Sequence, residues 1–187
     1  MNKKELVKDL KPYSTLMNEE QYWAIIEASL ENSKDQSGQS EYITKVLEKL
    51  TLEEIIGFSL TTSHLTNEIY SSHMWCAGYI MNSGCSDDGF MDFRDWVVSR
   101  GKEVYYKAKD NPDTLISEVN FGEGEYYSFE CFESVAWDVF EKETGEEIFE
   151  YKDSLIEYND DITFDWEEDD DESMQVICPQ LYAYFEE

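Results

Sequence analysis

The eighteen residues from Gly84 to Gly101, GCSDDGFMDFRDWVVSRG, are the part of this sequence that most narrowly limits its fold. Ser86 can cap a helix, because its hydroxyl can accept a hydrogen bond from a free backbone N–H group of the first turn. Asp87 and Asp88 would follow in that turn, where the helix dipole stabilises negative charge. Gly101 favours the left-handed backbone that ends many helices. The stretch therefore predicts one helix that begins after Ser86 and ends near Gly101.

This predicted helix also has a face that must be buried. Phe90, Phe93 and Val97 follow the i, i+3, i+7 spacing of an apolar stripe. Such a helix is stable only when its stripe packs against other elements. Similar spacing recurs along the chain, so we expect a mostly all-α protein, a multi-helix bundle with an irregular acidic C-terminal part.

The same stretch contains a candidate site. Its members are Tyr70, Trp75, Cys85, Ser86, Asp87, Asp88 and Arg94. Free N–H groups at a helix N-terminus and an arginine can together hold a carboxylate or a phosphate. Two aspartates at that N-terminus would repel an anion, so a cation or a basic protein fits better. The alternative is that the serine and the two aspartates only cap the helix.

The segment from Trp75 to Pro112 resembles the core of a bacterial family of domains of unknown function, number four-two-four-zero. The shared pattern consists of Trp75, Ala77, Gly84, Cys85, Ser86, Asp87, Asp88, Phe90, Phe93, Arg94, Trp96, Gly101 and Pro112. Residues 22–27 are similar to the opening helix of the family, and the segment from Pro179 to Phe185 is similar to its closing helix. The resemblance implies a soluble, mostly helical bacterial domain, and it implies no activity.

The chain of 187 residues is long enough for one domain with a sizeable core. We expect residues 1–17 to be an N-terminal extension and residues 18–187 to be a single helical domain. Within that domain, residues 18–112 would be the motif-bearing core and residues 113–187 the acidic C-terminal part. Hydrophobic residues make up 41% of the chain and aromatic residues 15%, which favours a folded protein over a disordered one.

Capping patterns and apolar spacing predict further helices over residues 18–32, 41–50, 68–81, 102–110 and 126–143, and from Pro179. A capping box at Thr51 and Glu54 opens another helix, which we expect to kink or break near His64. The polar segment from Ser33 to Ser40 is expected to be a loop. Residues 126–132 alternate enough to fit a strand as an alternative.

The net charge of −29 is distributed very unevenly. Residues 1–109 carry 12 basic and 17 acidic side chains, whereas residues 110–187 carry 2 basic and 26 acidic ones, a net of −24. Such a field repels nucleic acid and anionic membranes and attracts basic proteins. It therefore predicts a basic protein partner, such as a toxin covered by an immunity or antitoxin protein. The alternative is that the charge serves solubility alone. The expected contact residues are Tyr151, Tyr158, Trp166, Glu167, Glu168, Asp169, Asp170 and Asp171.

The sequence contains no phosphate-binding loop, dinucleotide fingerprint or Gly-x-Ser-x-Gly motif. Its four cysteines include no Cys-x-x-Cys pair, so we expect reduced thiols. We therefore assign no catalytic residue, metal or cofactor. A small-ligand-binding or metal-binding protein or an enzyme remains the alternative function, with its site at the Ser-Asp-Asp and arginine motif. The chain shows no secretory signal and no apolar run of about 18 residues, so we expect a cytoplasmic protein of undefined oligomeric state.

Overall fold

A computed structural model of the chain describes residues 3–122, 126–153, 162–168 and 170–186. The protein is all-α, as predicted, and its described part contains no extended strand. The helices are α1 (Lys3–Leu6), α2 (Glu19–Glu31), α3 (Gln36–Leu47), α4 (Leu52–Glu68), α5 (Ser72–Asn82), α6 (Asp87–Ser99), α7 (Lys102–Asp110), α8 (Ser134–Thr144), α9 (Asp171–Ile177) and α10 (Pro179–Glu186). Short 3₁₀ segments cover Val7–Asp9, Pro112–Glu118 and Ile148–Glu150. None of the described helices combines the length and apolar character needed to cross a membrane.

The contacts between residues divide the chain into two compact units. The first unit comprises residues 1–65 and 131–157, and the second comprises residues 66–130 and 158–187. Each unit is therefore assembled from two separate stretches of sequence. All seven residues of the candidate site at the motif belong to the second unit.

The core of the first unit is built around aromatic and branched side chains of α2, α3, α4 and α8. Tyr22 of α2 is fully buried, and its hydroxyl is 3.0 Å from the hydroxyl of Thr62. The ring of Tyr22 packs against the ring of Phe58, with the centroids 4.8 Å apart. Gly57 lets the chain pass closely over α4, because a Cβ atom there would lie 3.2 Å from the backbone nitrogen of Met17.

The core of the second unit is centred on α6, which has the limits that its sequence predicts. Ser86 caps it, since the Ser86 hydroxyl accepts a hydrogen bond from the Gly89 N–H at 3.2 Å. Phe90, Phe93 and Val97 are completely buried. Gly78 of α5 faces this stripe, because a Cβ atom there would lie 3.0 to 3.3 Å from the ring of Phe93.

A buried carboxylate fixes the start of α10 in the second unit. Oδ1 of Asp113 accepts hydrogen bonds from the backbone N–H groups of Gln180 and Leu181, at 2.9 and 3.0 Å. Oδ2 of Asp113 accepts a third from the side-chain amide of Gln180 at 2.9 Å. Asp113 therefore satisfies donors that the first turn of a helix leaves without partners. The helix at Pro179 is confirmed, but its anchor was not predicted.

Several helix limits in the first half of the chain differ from prediction; for example, α5 begins at Ser72 and not at residue 68. Helix α3 begins at Gln36 and not at Glu41, because the side chain of Asp35 accepts a hydrogen bond from the Gly38 N–H at 2.8 Å and caps it. The prediction of a break near His64 was wrong, because α4 continues to Glu68. The hydroxyls of Thr61, Thr62 and Ser63 donate to carbonyls four residues earlier, so these polar groups are satisfied inside the continuous helix.

The predicted helix over residues 126–143 was wrong in its first part. Helix α8 begins only at Ser134, and residues 127–129 have no regular structure. The backbone N–H of Phe129 donates to the carbonyl of Asp92 at 3.0 Å, so this segment is bonded to α6. Tertiary contacts have therefore overridden the helical spacing of the aromatic residues.

Candidate functional site

The second unit contains a cavity of about 520 Å³ at the beginning of α6. It is lined by Trp75, Cys85, Ser86, Asp87, Phe164, Trp166, Glu167 and Glu168. Trp75 comes from α5, and the next three residues come from the turn into α6. The other four belong to the segment 162–168, which precedes α9. Two stretches separated by more than seventy positions therefore form one site.

Three aromatic rings form walls of this cavity. The centroids of Trp75 and Phe164 are 5.3 Å apart, and their planes meet at 73°. Phe164 and Trp166 follow at 5.8 Å and 78°. The Trp75 indole N–H donates to the carbonyl of Cys85, and the Trp166 indole N–H donates to the carbonyl of Ser72, both at 3.0 Å. Both indole rings are therefore held in place by the backbone.

The segment 162–168 is attached to the first turn of α5 through Asp165. The Ser72 hydroxyl donates to Oδ1 of Asp165 at 2.6 Å, and Nε2 of His73 lies 2.7 Å from Oδ2. The hydrogen bonds with Ser72 and with His73 hold the pKa of Asp165 below its ordinary value. These contacts place the segment that carries Phe164 and Trp166 beside Trp75. No pattern in the sequence marks Ser72, His73 or Asp165 as parts of the site.

The turn before α6 serves both the helix and the cavity. Ser83 adopts a left-handed conformation with φ of 54°, and Gly84 follows with φ of 128°. Ser86 then caps α6 and also lines the cavity. Asp87 and Asp88 are both exposed, but only Asp87 is among the described residues that line the cavity. The two aspartates therefore have different surroundings.

Arg94 lies against two aromatic rings next to the site. Its guanidinium lies 4.9 Å from the centroid of the Tyr70 ring and 4.8 Å from that of Phe90, and its Nη1 donates to the carbonyl of Thr66 at 2.9 Å. Phe90 in turn stacks on Trp75 with the centroids 4.3 Å apart. Tyr70 and Arg94 therefore support the aromatic wall, and neither is among the described residues that line the cavity.

Cys85 lines the cavity as a thiol of low reactivity. Burial raises its pKa to about 12, and the nearby Arg94 only partly opposes this effect. At neutral pH the side chain is therefore a neutral thiol, whereas a cysteine nucleophile must be a thiolate. The arrangement argues against nucleophilic catalysis by Cys85.

A family model described as a protein of unknown function matches residues 17–142. The chain belongs to the DUF4240 family. No curated protein and no solved structure matches it. The DUF4240 match contains Trp75, Cys85, Ser86 and Asp87, but it ends before the segment 162–168. The resemblance seen in residues 179–185 also lies outside the matched range.

The expected partner-binding residues occupy several different places in the structure. Trp166, Glu167 and Glu168 line the cavity beside the motif, so the structure joins two sets that the sequence analysis treated separately. Asp170 caps α9 through its side chain, and Asp171 is the first residue of that helix. Tyr151 belongs to the first unit, where its ring packs against Phe140. Tyr158 and Asp169 lie outside the described residues.

The chemistry of the lining is suited to a positive charge. It combines the faces and edges of three aromatic rings with the carboxyl groups of Asp87, Glu167 and Glu168. None of the described lining residues is a lysine, arginine or histidine. Aromatic faces and carboxylates both attract cations. Across the part of the chain that the structure describes, no group of three or more His, Cys, Asp or Glu side chains could hold a metal ion.

Proposed function

We propose that the protein binds a basic protein partner and that the cavity at the start of α6 receives a cationic side chain of that partner. The observation that carries the proposal is the composition of the cavity. Three aromatic rings and three carboxyl groups line it, and the described lining provides no positive charge of its own.

The energetics of interfaces support this assignment. A cation over an aromatic ring contributes about 0.5 kcal/mol at an exposed site and about 2 kcal/mol when it is desolvated. Phe164 is 47% exposed, so its ring is open to an incoming side chain, whereas Trp166 is only 6% exposed and is covered mainly by the protein itself. Buried aromatic residues at the centre of an interface commonly carry most of the binding energy. The cavity is therefore suited to anchor a partner.

The charge of the sequence supports a basic partner from a longer range. Residues 110–187 have a net charge of −24, and they include the segment that forms half of the cavity. A field of this sign raises the association rate of positively charged proteins. An immunity or antitoxin protein that covers the basic surface of a toxin is the form of this function that we favour. Nuclease-type toxins have such surfaces because they bind phosphate groups.

Affinity capture from the organism that encodes the protein would test the proposal. The wild type would be compared with the variant D87N/E167Q/E168Q, which neutralises the cavity. The matched control is E146Q/E147Q/E150Q, which removes three exposed carboxylates from the first unit. We expect the wild type and the control to retain a basic protein at low salt and to release it at high salt. We expect the cavity variant to retain much less.

Two results would contradict the proposal. One is that the wild type retains no basic protein at low salt. The other is that the cavity variant retains the same protein as strongly as the charge-matched control does. Circular dichroism spectra of all three proteins would establish that they share the same helical content.

A small-molecule ligand is the second candidate, because the cavity volume of about 520 Å³ falls within the range of ligand sites, roughly 300–1,000 Å³. The same lining would select an organic cation in that case. Binding without catalysis is the version that the site supports, because the Cys85 thiol is neutral and Arg94 is held against Tyr70 and Phe90.

A further inference from the structure

The geometry points to a guanidinium group as the occupant of the cavity, so that the anchor of the partner is an arginine side chain. This inference rests on the proposed function and specifies the chemical group that the cavity recognises. Three features of the second unit support it: the arrangement of the rings, the carboxyl groups beside them, and the way the unit binds its own arginines.

The rings offer flat surfaces that are fixed before any ligand binds. Trp75, Phe164 and Trp166 meet at 73° and 78°, so they form successive walls and not a single stack. The two indole rings are fixed because their N–H groups donate to backbone carbonyls, and the Phe164 ring packs edge-on against both of them. A guanidinium is planar and weakly hydrated, and it stacks on aromatic faces. A preformed wall of this kind lowers the entropic cost of binding such a group.

The carboxyl groups complete the recognition of a guanidinium. Asp87, Glu167 and Glu168 supply oxygen atoms that can only accept hydrogen bonds when the groups are ionised. A guanidinium is planar and has five N–H donors in a fixed geometry. It can therefore donate hydrogen bonds to several carboxylates that surround it. A lysine ammonium is compact and strongly hydrated, and a quaternary ammonium has no donor. Each of these two cations would therefore make fewer of the contacts that this lining offers.

The second unit already binds one of its own arginines with the same ingredients. The guanidinium of Arg100 lies 4.4 Å from the centroid of the Phe121 ring, and its Nε donates to Oε2 of Glu118 at 3.0 Å. Arg94 is likewise held by the rings of Tyr70 and Phe90 and by the carbonyl of Thr66. The cavity repeats this combination of ring and oxygen acceptor on a larger scale. The described lining provides the rings and the oxygen acceptors, and it contains no arginine of the protein itself.

Titration with small probes would test the inference on the full-length protein. The probes are N-acetyl-arginine amide, its neutral isostere N-acetyl-citrulline amide, N-acetyl-lysine amide and tetramethylammonium, each followed by calorimetry at low salt. We expect the arginine probe to bind about tenfold more tightly than each of the other three. Citrulline keeps the shape of the arginine side chain and removes the charge, so it isolates the ionic contribution.

Variants would locate the binding of the probe. Phe164→Leu keeps an apolar side chain at a position that is 47% exposed, and it removes the aromatic face. We expect this variant and E167Q/E168Q each to weaken binding of the arginine probe at least about threefold. The controls are F149L, at a 53% exposed phenylalanine of the first unit, and E146Q/E147Q. They should bind the probe as the wild type does.

The outcomes separate this inference from the proposed function. Equal binding of the arginine and citrulline probes, tighter binding of lysine or tetramethylammonium, or no binding of any probe would overturn the guanidinium site. In each case a basic partner retained in the capture experiment would leave the proposed function standing. Conversely, selective binding of the arginine probe with no basic partner captured would overturn the proposed function and keep the guanidinium site.

Discussion

Nε2 of His73 lies 2.7 Å from Oδ2 of Asp165, although the two residues are 92 positions apart in the sequence. The side chains are 52% and 57% exposed, so a pair of this kind contributes at most about 1 kcal/mol to stability. Its importance is geometric. Together with the Ser72 hydroxyl, it holds the segment that carries Phe164, Trp166, Glu167 and Glu168 beside the start of α5.

Replacing Asp165 by Asn tests whether this attachment shapes the cavity. The change removes the charge that Ser72 and His73 stabilise, so we expect weaker binding of a cationic probe with a loss of less than about 1 kcal/mol in the free energy of unfolding. Because the pKa of Asp165 is lowered in the folded protein, its contribution is present above the ordinary pKa of about 3.9 and is lost as the pH falls through the lower folded value. The stability difference between the wild type and D165N should therefore shrink in strong acid. A difference that grows under those conditions would contradict this prediction, and chemical denaturation at several pH values would measure it.

Asp113→Ala should destabilise the second unit strongly. The change leaves the backbone N–H groups of Gln180 and Leu181 and the side-chain amide of Gln180 without their buried acceptor. Hydrogen bonds to charged groups contribute about 1.5–3 kcal/mol each, so a loss of about 3 kcal/mol is expected. Asp110→Ala is the matched control, because Asp110 is exposed at the end of α7 and its removal should cost no more than about 0.5 kcal/mol. Urea unfolding would give both values, and equal values would show that Asp113 is no anchor.

Two glycine substitutions test the packing of α5 on α6. A Cβ atom at Gly78 would lie 3.0 to 3.3 Å from the ring of Phe93, so Gly78→Ala should cost about 1–3 kcal/mol through overpacking. At Gly89 the nearest atoms are the Ser86 hydroxyl at 3.4 Å and the Cys85 sulfur at 4.0 Å, which is ordinary contact. Gly89→Ala should therefore stabilise α6 by up to about 1 kcal/mol. Thermal unfolding of the two variants should shift in opposite directions, and a stabilised G78A protein would refute the packing argument.

Lys152 should make the stability of the first unit depend on pH in the alkaline range. Its ammonium donates to the hydroxyls of Ser59 and Ser63 at 3.1 and 3.3 Å, and burial lowers its pKa, with Glu133 opposing the effect. A lysine with a lowered folded pKa destabilises the fold while it is charged, and this cost disappears as the pH rises towards the unfolded pKa of about 10.4. The stability of the wild type relative to Lys152→Met should therefore increase as the pH rises from neutral towards 10. Chemical denaturation of both proteins would measure the trend, and an unchanged difference would contradict it.

Local signals in the sequence were sufficient to predict the limit of a helix where a capping residue or a proline stands at that limit. The cap at Ser86, the capping box at Thr51 and the proline at the start of α10 all lie within one turn of the boundary that they define. The limits were misjudged where the deciding contacts were less obvious. Helix α4 passes His64, with the three preceding hydroxyls bonded to carbonyls of the same helix, and the backbone of Phe129 is bonded to α6.

The candidate site was predicted as two unrelated halves for a similar reason. Trp75, Cys85, Ser86 and Asp87 were recognised from the motif, and Trp166, Glu167 and Glu168 from their charge and aromatic character. Their proximity depends on Asp165, whose partners Ser72 and His73 are 93 and 92 positions away. No periodic pattern records a contact over such a distance. Sequence spacing also could not show that Arg94 would turn towards Tyr70 and Phe90.

The family match ends at residue 142, whereas Phe164, Trp166, Glu167 and Glu168 come after it. One side of the cavity thus lies within the family match, and the other side is supplied by a segment of seven residues that Asp165 and Trp166 bond to the first turn of α5. Substitutions confined to those seven residues would change one side of the cavity and leave the N-caps and the buried apolar faces of α5 and α6 as they are. Under the proposed function, a change of partner would therefore require substitutions in one short segment only.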